Sequence, residues 1–468
     1  MLLTRMRLLS HRYGCLNGVR YLNTRVEDQV LPTSTATTTT RRKKKKIQHH
    51  ATAMTIVMLG SGGSNSFRNG RKQPCLAVNL PYGGMYINSI RIHAHPSTHP
   101  PTPARTWIFD AGETSLMDHH PNVKDHDVRR VFLTHLHGDH MFGLPGLMSR
   151  INLHEKEALE KHKFIGQEEP FEIIGPHGVG RFVRTAISIS KTRLKYKWKI
   201  VELRHGEPAK GSPDDVDLNT TLLDNEMPME IVYPDSSILD LEKRYVWRLP
   251  GKDLDETGSV KDFDVTACEI KHTKSMPSIG YVLQEPTLPR NLVIEKVRHH
   301  LELNRDWIEE TYGKERARKM KEAIKSPNFR LELPSGVVMD ASDPDSEFFG
   351  PIRRGRKICV LGDTRDAGNI SSEAHGADLL VHECTYLDHQ NKNAKMRGHS
   401  TPSMAGAFAK SIEAKRLVLN HAGSIIAPYN KKLCQSVVSS AQRAMGAKKN
   451  SVWLSSDDDV YSLPVPKD

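Results

Sequence analysis

The chain has 468 residues, with 67 Lys and Arg against 55 Asp and Glu, for a formal net charge of +12. That length holds one large domain or two ordinary ones, the 37% hydrophobic content argues against a wholly disordered chain, and no stretch reaches the ~20 apolar residues of a membrane span. Eleven Arg or Lys and two acids fall within residues 1–50, which therefore carry +9 and leave +3 (12 − 9) for the remainder. Attraction to nucleic acid must then come from a local patch rather than from the whole surface. The six cysteines, Cys15, Cys75, Cys268, Cys359, Cys384 and Cys434, show no close pairing. Neither a CxxC zinc ribbon nor a disulfide framework is indicated, which suits a reducing compartment.

Residues 1–26 contain Arg5, Arg7, Arg12, Arg20 and Arg25 and no acid, with Leu2, Leu3, Met6, Leu8 and Leu9 on a helical apolar face. This is the pattern of a mitochondrial or plastid transit peptide. The block Arg41-Arg42-Lys43-Lys44-Lys45-Lys46 reads either as a nuclear address or as a solvated linker. Residues 1–53 are thus expected to be a disordered transit peptide and basic linker. Met54 offers a second start, and the form it gives would belong to the nucleus or cytoplasm.

The folded domain is expected over 54–468. Thr55–Leu59 reads as a buried strand, followed by Gly60-Ser61-Gly62-Gly63-Ser64, which either lets backbone N–H groups approach a phosphate or only turns the chain. Leu76–Leu80 is the next strand. Residues 81–105 are Pro-rich, so His93, His95 and His99 have no rigid scaffold, and the stretch is read as a loop insertion. Trp107–Phe109 resumes a strand ending at Asp110, a candidate to anchor a ligand histidine from behind.

The stretch around which the chain is organised is Thr134-His135-Leu136-His137-Gly138-Asp139-His140. Imidazole and carboxylate are the ligands zinc takes, and a catalytic zinc keeps a position open. So dense a cluster cannot aim every side chain at one ion. The natural reading is two metals, with His135 and His137 on the first and Asp139 and His140 on the second. A metal site also needs distant partners.

A helix from Phe142 through Leu153, a strand Phe171–Pro176 and a helix Phe182–Ile189 follow. Lys191, Arg193, Lys195, Lys197 and Lys199 alternate with Leu194, Tyr196, Trp198 and Ile200, which predicts a strand with one basic face. Such a face either touches RNA or guards an edge. The acidic, Pro-containing stretch 204–260 is expected to be a second insertion. Val265–His272 and Ile279–Leu283 read as a hairpin. In 286–345 the alternation stops, and Lys314, Arg318, Lys321 and Lys325 share one helical face. That face is either solvated, with Glu315 and Glu322 diluting it, or a phosphate-gripping arm. Asp363, Glu383, His399 and His421 then join His135 and His272 at or soon after predicted strand ends, where side chains meet at one rim.

His135-Leu-His137-Gly-Asp139-His140 with His272, Asp363 and His421 resembles the metallo-β-lactamase superfamily. Gly143-Leu144-Pro145-Gly146, Ile174-Gly175-Pro176-His-Gly178, Gly280-Tyr281, Gly362-Asp363-Thr364, His382-Glu383-Cys384-Thr385-Tyr386 and Gly398-His399-Ser400-Thr401 narrow the resemblance to the ribonuclease Z family of tRNA 3′-processing endonucleases. The resemblance covers roughly 54–460. It implies an α/β fold, an αββα metallo-β-lactamase sandwich, with a protruding helical arm, the exosite, at 286–345. Three departures stand out: no proline-threonine run near Gly62-Gly63, Asp110-Ala-Gly-Glu113 for Asp-Cys-Gly-Glu, and His421-Ala-Gly for His-Phe-Ser.

The resemblance further implies two Zn²⁺ per subunit. His135, His137 and His272 would hold one ion, Asp139, His140 and His421 the other, and Asp363 would bridge. Asp139 is the expected general base, His399 the general acid, and Glu383 the group that orients His399. Lys314, Arg318, Lys321 and Lys325 are the expected RNA contacts, precursor tRNA the expected partner, and a homodimer the expected assembly, with no membrane. The competing readings are a small-molecule ester or phosphodiester hydrolase of the same fold and a non-catalytic RNA-binding scaffold.

Overall fold

The structure is a computed structural model. It describes residues 54–466 except 64–68, 81–104, 117–119, 161–169, 208–221, 250–262, 289, 325–328 and 448–449. The expectations for 1–53, for the Pro-rich stretch and its three histidines, and for Lys325 lie outside the described residues.

The strands in chain order are β1 Met54–Gly60, β2 Cys75–Leu80, β3 Arg105–Phe109, β4 Val128–Phe132, β5 Phe171–Pro176, β6 Trp198–Leu203, β7 Glu230–Val232, β8 Val246–Leu249, β9 Asp264–Ile270, β10 Ser278–Gln284, β11 Arg330–Glu332, β12 Val338–Asp340, β13 Lys357–Leu361, β14 Leu379–Glu383, β15 Leu417–Asn420, β16 Val452–Leu454 and β17 Val460–Leu463. The helices are α1 Gly138–Met141, α2 Leu144–Glu160, α3 Val179–Ser190, α4 Ser236–Glu242, α5 Ile294–Leu303, α6 Arg305–Tyr312, α7 Lys314–Ala323, α8 Ser371–Ala374, α9 Asn391–Arg397, α10 Pro402–Ser411 and α11 Lys431–Met445.

One sheet runs β17-β1-β2-β3-β4-β5-β6-β7 and the other β16-β15-β14-β13-β10-β9-β8. Both contain a parallel half, β3 to β7 and β13 to β16. Parallel strands are covered on both faces and read as near-continuous apolar runs, as β13 and β14 do. Trp107, Phe109 and Phe132 of the first sheet meet Tyr281, Ile358 and Val381 of the second in a shared core. Phe109 and Phe132 stack at 4.8 Å, and the Tyr281 hydroxyl donates to the Leu133 carbonyl at 2.7 Å. The outer face of the first sheet packs on Leu147 and Met148 of α2 and Val183 and Ile187 of α3. The outer face of the second packs on Ala405 and Ala409 of α10 and Val437 and Ala441 of α11. The layers are therefore α, β, β, α, as expected.

Caps fix the helices that border the site. Thr401 is the N-cap of α10 with Pro402 in the first turn, as its sequence predicts. The Glu202 carboxylate caps α3, accepting from Gly178 N at 3.1 Å and Gly180 N at 2.9 Å.

Two stretches differ from the sequence reading. Residues 191–197 do not join a ladder; the strand begins at Trp198. Leu194, Tyr196 and Trp198 are still buried in alternation with exposed lysines, but the Asn152 side chain, not a strand, takes up Lys195 N and Arg193 O. The described part of 204–260 is also no mere insertion, because β7 and β8 form an edge of each sheet. Short strands and scattered acids hide that role from a periodicity reading.

The arm carries α5, α6, α7 and the β11–β12 hairpin around its own cluster, which includes Val297, Ile308, Met320, Leu331, Met339 and Phe348. Lys314 and Arg318 are exposed on α7, and Lys321 lies on the same helix. Below the arm, Arg356 is fully buried and bidentate to Glu285, at 2.6 Å and 2.5 Å, and also donates to the Leu463 carbonyl at 3.2 Å. Replacing Arg356 by Met strands a buried carboxylate. The expected loss is about 3–5 kcal/mol, read as a lowered denaturant midpoint with unchanged slope.

Candidate metal centre

The strand ends bring the site together. After β4, Leu133 is buried in the core, Thr134 and His135 follow, and His137 begins the single turn of α1 that presents Asp139 and His140. His272 lies two residues beyond β9, Asp363 two beyond β13, Glu383 ends β14, and His421 follows β15 directly. Gly398 closes α9 at φ 83° and delivers His399.

All seven residues expected to hold metal converge. His135, His137, His272 and Asp363 form one group and Asp139, His140 and His421 another; within each, one ligand atom per residue lies within 4.8 Å of the others. Asp363 Oδ2 is 3.8 Å from His135 Nε2 and 3.6 Å from His140 Nε2, and its Oδ1 is 3.3 Å from His421 Nε2. It thus stands between the groups. The inward nitrogens are crowded: His135 Nε2 is 3.0 Å from His137 Nδ1, and His140 Nε2 is 3.3 Å from His421 Nε2.

An outer ring of hydrogen bonds sets the tautomers. The Thr134 hydroxyl donates to Asp110 at 3.0 Å and so accepts from His135 Nδ1 at 3.0 Å. His140 Nδ1 donates to Asp110 at 2.8 Å. His272 Nδ1 donates to the Gly398 carbonyl at 2.8 Å. The Thr385 hydroxyl donates to Glu383 and accepts from His421 Nδ1 at 2.8 Å. In their neutral forms, four imidazoles therefore turn an unprotonated Nε2 inward. Buried lone pairs gathered without a donor are costly, and a cation that accepts them relieves that cost. Imidazole nitrogens and carboxylate oxygens with ordered outer partners suit a first-row divalent ion.

Burial and mutual charge shift these groups. Burial works against the Asp363 charge, but His421, His140 and His399 hold its carboxyl well below the usual range. Burial likewise opposes charge on His140, yet Asp110 and Asp363 hold its imidazole well above the ordinary value. Burial, reinforced by His140, pushes His135 well below. A proton and a cation compete for the same inward lone pairs.

His399 stands beside this cluster at the lip of a cleft of about 520 Å³ lined also by His137, Asp139, Asp363, Tyr386 and Ile425. Its Nδ1 donates to Glu383 at 3.0 Å, which leaves Nε2 for the cleft. Although burial opposes its charge, Glu383 and Asp363 push the His399 pKa up to about 9. Glu383 is fixed in turn by Thr364 N at 2.9 Å and Thr385 N at 3.1 Å.

Sequence reading did not single out Thr134, Thr385 or the Gly398 carbonyl as anchors. Thr385 and Gly398 do fall inside the segments that carried the resemblance. Gly63 was read as a turn or phosphate loop; a Cβ there would stand 2.7 Å from the His421 ring, so its bareness makes room for that imidazole. The arm residues Lys314 and Arg318 do not line this cleft.

The fold and the paired His/Asp groups define a class. The family model described as the metallo-beta-lactamase superfamily matches residues 102–266. The ribonuclease Z of Limosilactobacillus fermentum is 32% identical over 317 residues, 67% of this chain and 76% of the relative. That of Lacticaseibacillus casei is 30% identical over 317 residues, 67% of this chain and 74% of the relative. The crystal structure of the short form of human tRNase Z is 25% identical, with 88% of this chain and 100% of that one covered, at a TM-score of 0.47. The chain belongs to the ribonuclease Z family.

Replacing Thr385 by Val removes the anchor of His421 without touching a donor atom. Metal affinity is expected to fall about 10–100-fold, measured by competition with a chromogenic chelator, with the circular dichroism spectrum unchanged.

Proposed function

We propose that the chain is a zinc-dependent endoribonuclease that removes the 3′ trailer from precursor tRNA, leaving a 3′-OH on the tRNA and a 5′-phosphate on the trailer. The observation that carries this reading is the convergence of the seven donors beside a cleft that also holds the His399–Glu383 pair. The ribonuclease Z relatives support the reaction class.

In this reading His135, His137 and His272 would hold one zinc ion and Asp139, His140 and His421 a second, with Asp363 placed where it would serve either. When bound, such a pair supplies Lewis acidity toward a phosphodiester and brings the pKa of water toward ~7. Asp139 lines the cleft and is the base that takes the proton of the attacking water. Burial opposes its charge, but hydrogen bonding to His421 and the nearby His140 keep its carboxyl below the ordinary value and ready to accept. His399, held protonated near neutral pH by Glu383 and Asp363, gives a proton to the departing 3′ oxygen through Nε2. Glu383 keeps the ring in place and strengthens its hold on that proton until the oxygen departs.

The arm is the part that grips folded RNA. Its support is a separate core, which lets it stand as a unit, and the exposed Lys314 and Arg318 on α7. These give a backbone-reading surface suited to an A-form helix, and Lys321 and Lys325 are further candidate contacts by their sequence spacing. One complete donor set per chain goes with a homodimer of equivalent subunits. The acid-free, Arg-rich residues 1–26 support import into a mitochondrion or plastid.

Incubation with a 3′-extended precursor tRNA is expected to give one cut at the trailer junction, abolished by chelator; cleavage of small esters but not of the RNA would overturn the reading. His399→Ala is expected to lower kcat by about 10²–10⁴-fold with both metals retained in elemental analysis; loss of metal would make His399 a ligand instead. Asn291 and Gly350 are hydrogen-bonded at 2.7 Å across the neck of the arm, so 292–349 can be replaced by a short glycine link. That variant is expected to raise KM for precursor tRNA at least tenfold and to hydrolyse bis-p-nitrophenyl phosphate normally.

A further inference from the structure

Residues beside the cluster also build a second cleft. His382 precedes Glu383 on β14, Lys271 precedes His272, and Ser400 follows His399. On β14, His382 and Glu383 point to opposite sides of the sheet. His382, Lys271 and Ser400 line a cleft of about 570 Å³, together with Arg365, Lys395 and Phe408, and it shares no lining residue with the metal cleft. That volume is within the range of small-ligand sites.

Its chemistry is specific. His382 is 2% exposed, and its Nδ1 donates to the Glu383 carbonyl at 2.9 Å. In the neutral ring Nε2 is then an acceptor, and it has no hydrogen-bond partner among the described residues. Arg365 and Lys395 make no ion pair among the described residues, while Lys271 pairs with Asp366 at 2.7 Å. Three cations and one carboxylate thus leave an excess of two positive charges. A phosphate monoester is close to a dianion at neutral pH, and guanidinium binds it bidentately. The opposite wall is apolar, with Met404, Ala407 and the Phe408 ring, whose centroid is 5.9 Å from that of His382. Inorganic phosphate alone would leave that wall and the Nε2 acceptor unused. A ligand that uses all three features has a phosphate monoester, a flat ring and an O–H or N–H donor.

We propose that this cleft binds a nucleoside 5′-monophosphate unit. The phosphate sits on Arg365 and Lys395, the base lies against Phe408 and Met404, and His382 Nε2 accepts a ribose hydroxyl or base N–H. The unit comes either from a free mononucleotide or from the 5′ end of a released RNA fragment. The second source rests on the nuclease reading; the first does not.

Calorimetric titration of the metal-loaded protein with AMP, and separately with the trinucleotide pApApA, tests the proposal. The wild-type chain is expected to show AMP binding that weakens at least tenfold in Arg365→Ala/Lys395→Ala. Ala407→Trp, a change at an exposed position, should block the cleft by bulk and give the same loss. Metal content and hydrolysis of bis-p-nitrophenyl phosphate should be unchanged in both. Binding of AMP alone points to a free nucleotide, and binding of pApApA as well points to RNA ends; either supports the proposal. AMP binding unaffected in both variants overturns it, as does inorganic phosphate binding as tightly as AMP at the residues named. Failure of precursor tRNA cleavage leaves this binding result standing, so the two readings fail separately.

Discussion

The structure depends on lone pairs being forced together. His135 Nε2 and His137 Nδ1 sit 3.0 Å apart, and His140 Nε2 and His421 Nε2 3.3 Å apart, in a pocket with little water to solvate them. Such a contact persists only if each ring is held from behind. Asp110 and Thr134 do this for His140 and His135, and Thr385 and Gly398 for His421 and His272. The outer anchors come from the turns after β3, β4, β14 and α9, so the sandwich core underwrites the donor geometry. Asp110 itself is held at φ 59°, a left-handed conformation that costs a non-glycine residue energy and is typical of sites where geometry outranks comfort.

The same anchors divide the cleft electrostatically. Asp110 and Asp363 serve histidines of the two donor groups, whereas Glu383 serves both Thr385, behind His421, and His399, in front of the cleft. One carboxylate thus couples the position of a donor to the protonation of the candidate acid. Glu383 is nearly sealed from solvent, and its charge survives burial because His399 and neighbouring N–H groups favour the ionised form. An uncharged substitute at Glu383 would therefore disturb both the anchor of His421 and the protonation of His399.

Much of this was legible from the chain because the chemistry needs rare residues at strand ends. The strand run Val131-Phe132-Leu133, then three histidines and an aspartate in six residues, points to a metal site. The distal partners His272, Asp363 and His421 each follow an apolar run, and the structure gathers them there. What stayed hidden was of two kinds. Anchors such as Thr385 and the Gly398 carbonyl carry no spacing signal, since a hydroxyl or a main-chain oxygen in that role looks like any other. Edge strands such as β7 and β8 are short and half-exposed, so the acidic stretch around them read as an insertion. The alternation at 191–197 did report burial correctly, but burial alone does not make a ladder: β5 reaches only the Lys197 carbonyl, and the side chains of Asn152 and Asn225 take the backbone groups of Arg193, Lys195 and Leu194.

Two of the three departures, the first loop and the segment after His421, meet at one contact. Gly62 pairs with Ala422 in an isolated bridge, and Ala422 is fully buried. Gly63 leaves the His421 ring its space, and a Cβ on Gly423 would stand 2.2 Å from the Thr385 carbonyl oxygen. The first loop and the segment after β15 thus close on each other around one imidazole. A phenylalanine at position 422 would need a volume that the Gly62 strand crossing occupies. A side chain at 423 would drive against the residue that anchors His421. The glycines near 62 and the Ala-Gly after His421 therefore form the two sides of one contact. Its effect is to hold the His421 end of the donor set by close backbone packing rather than by large side chains.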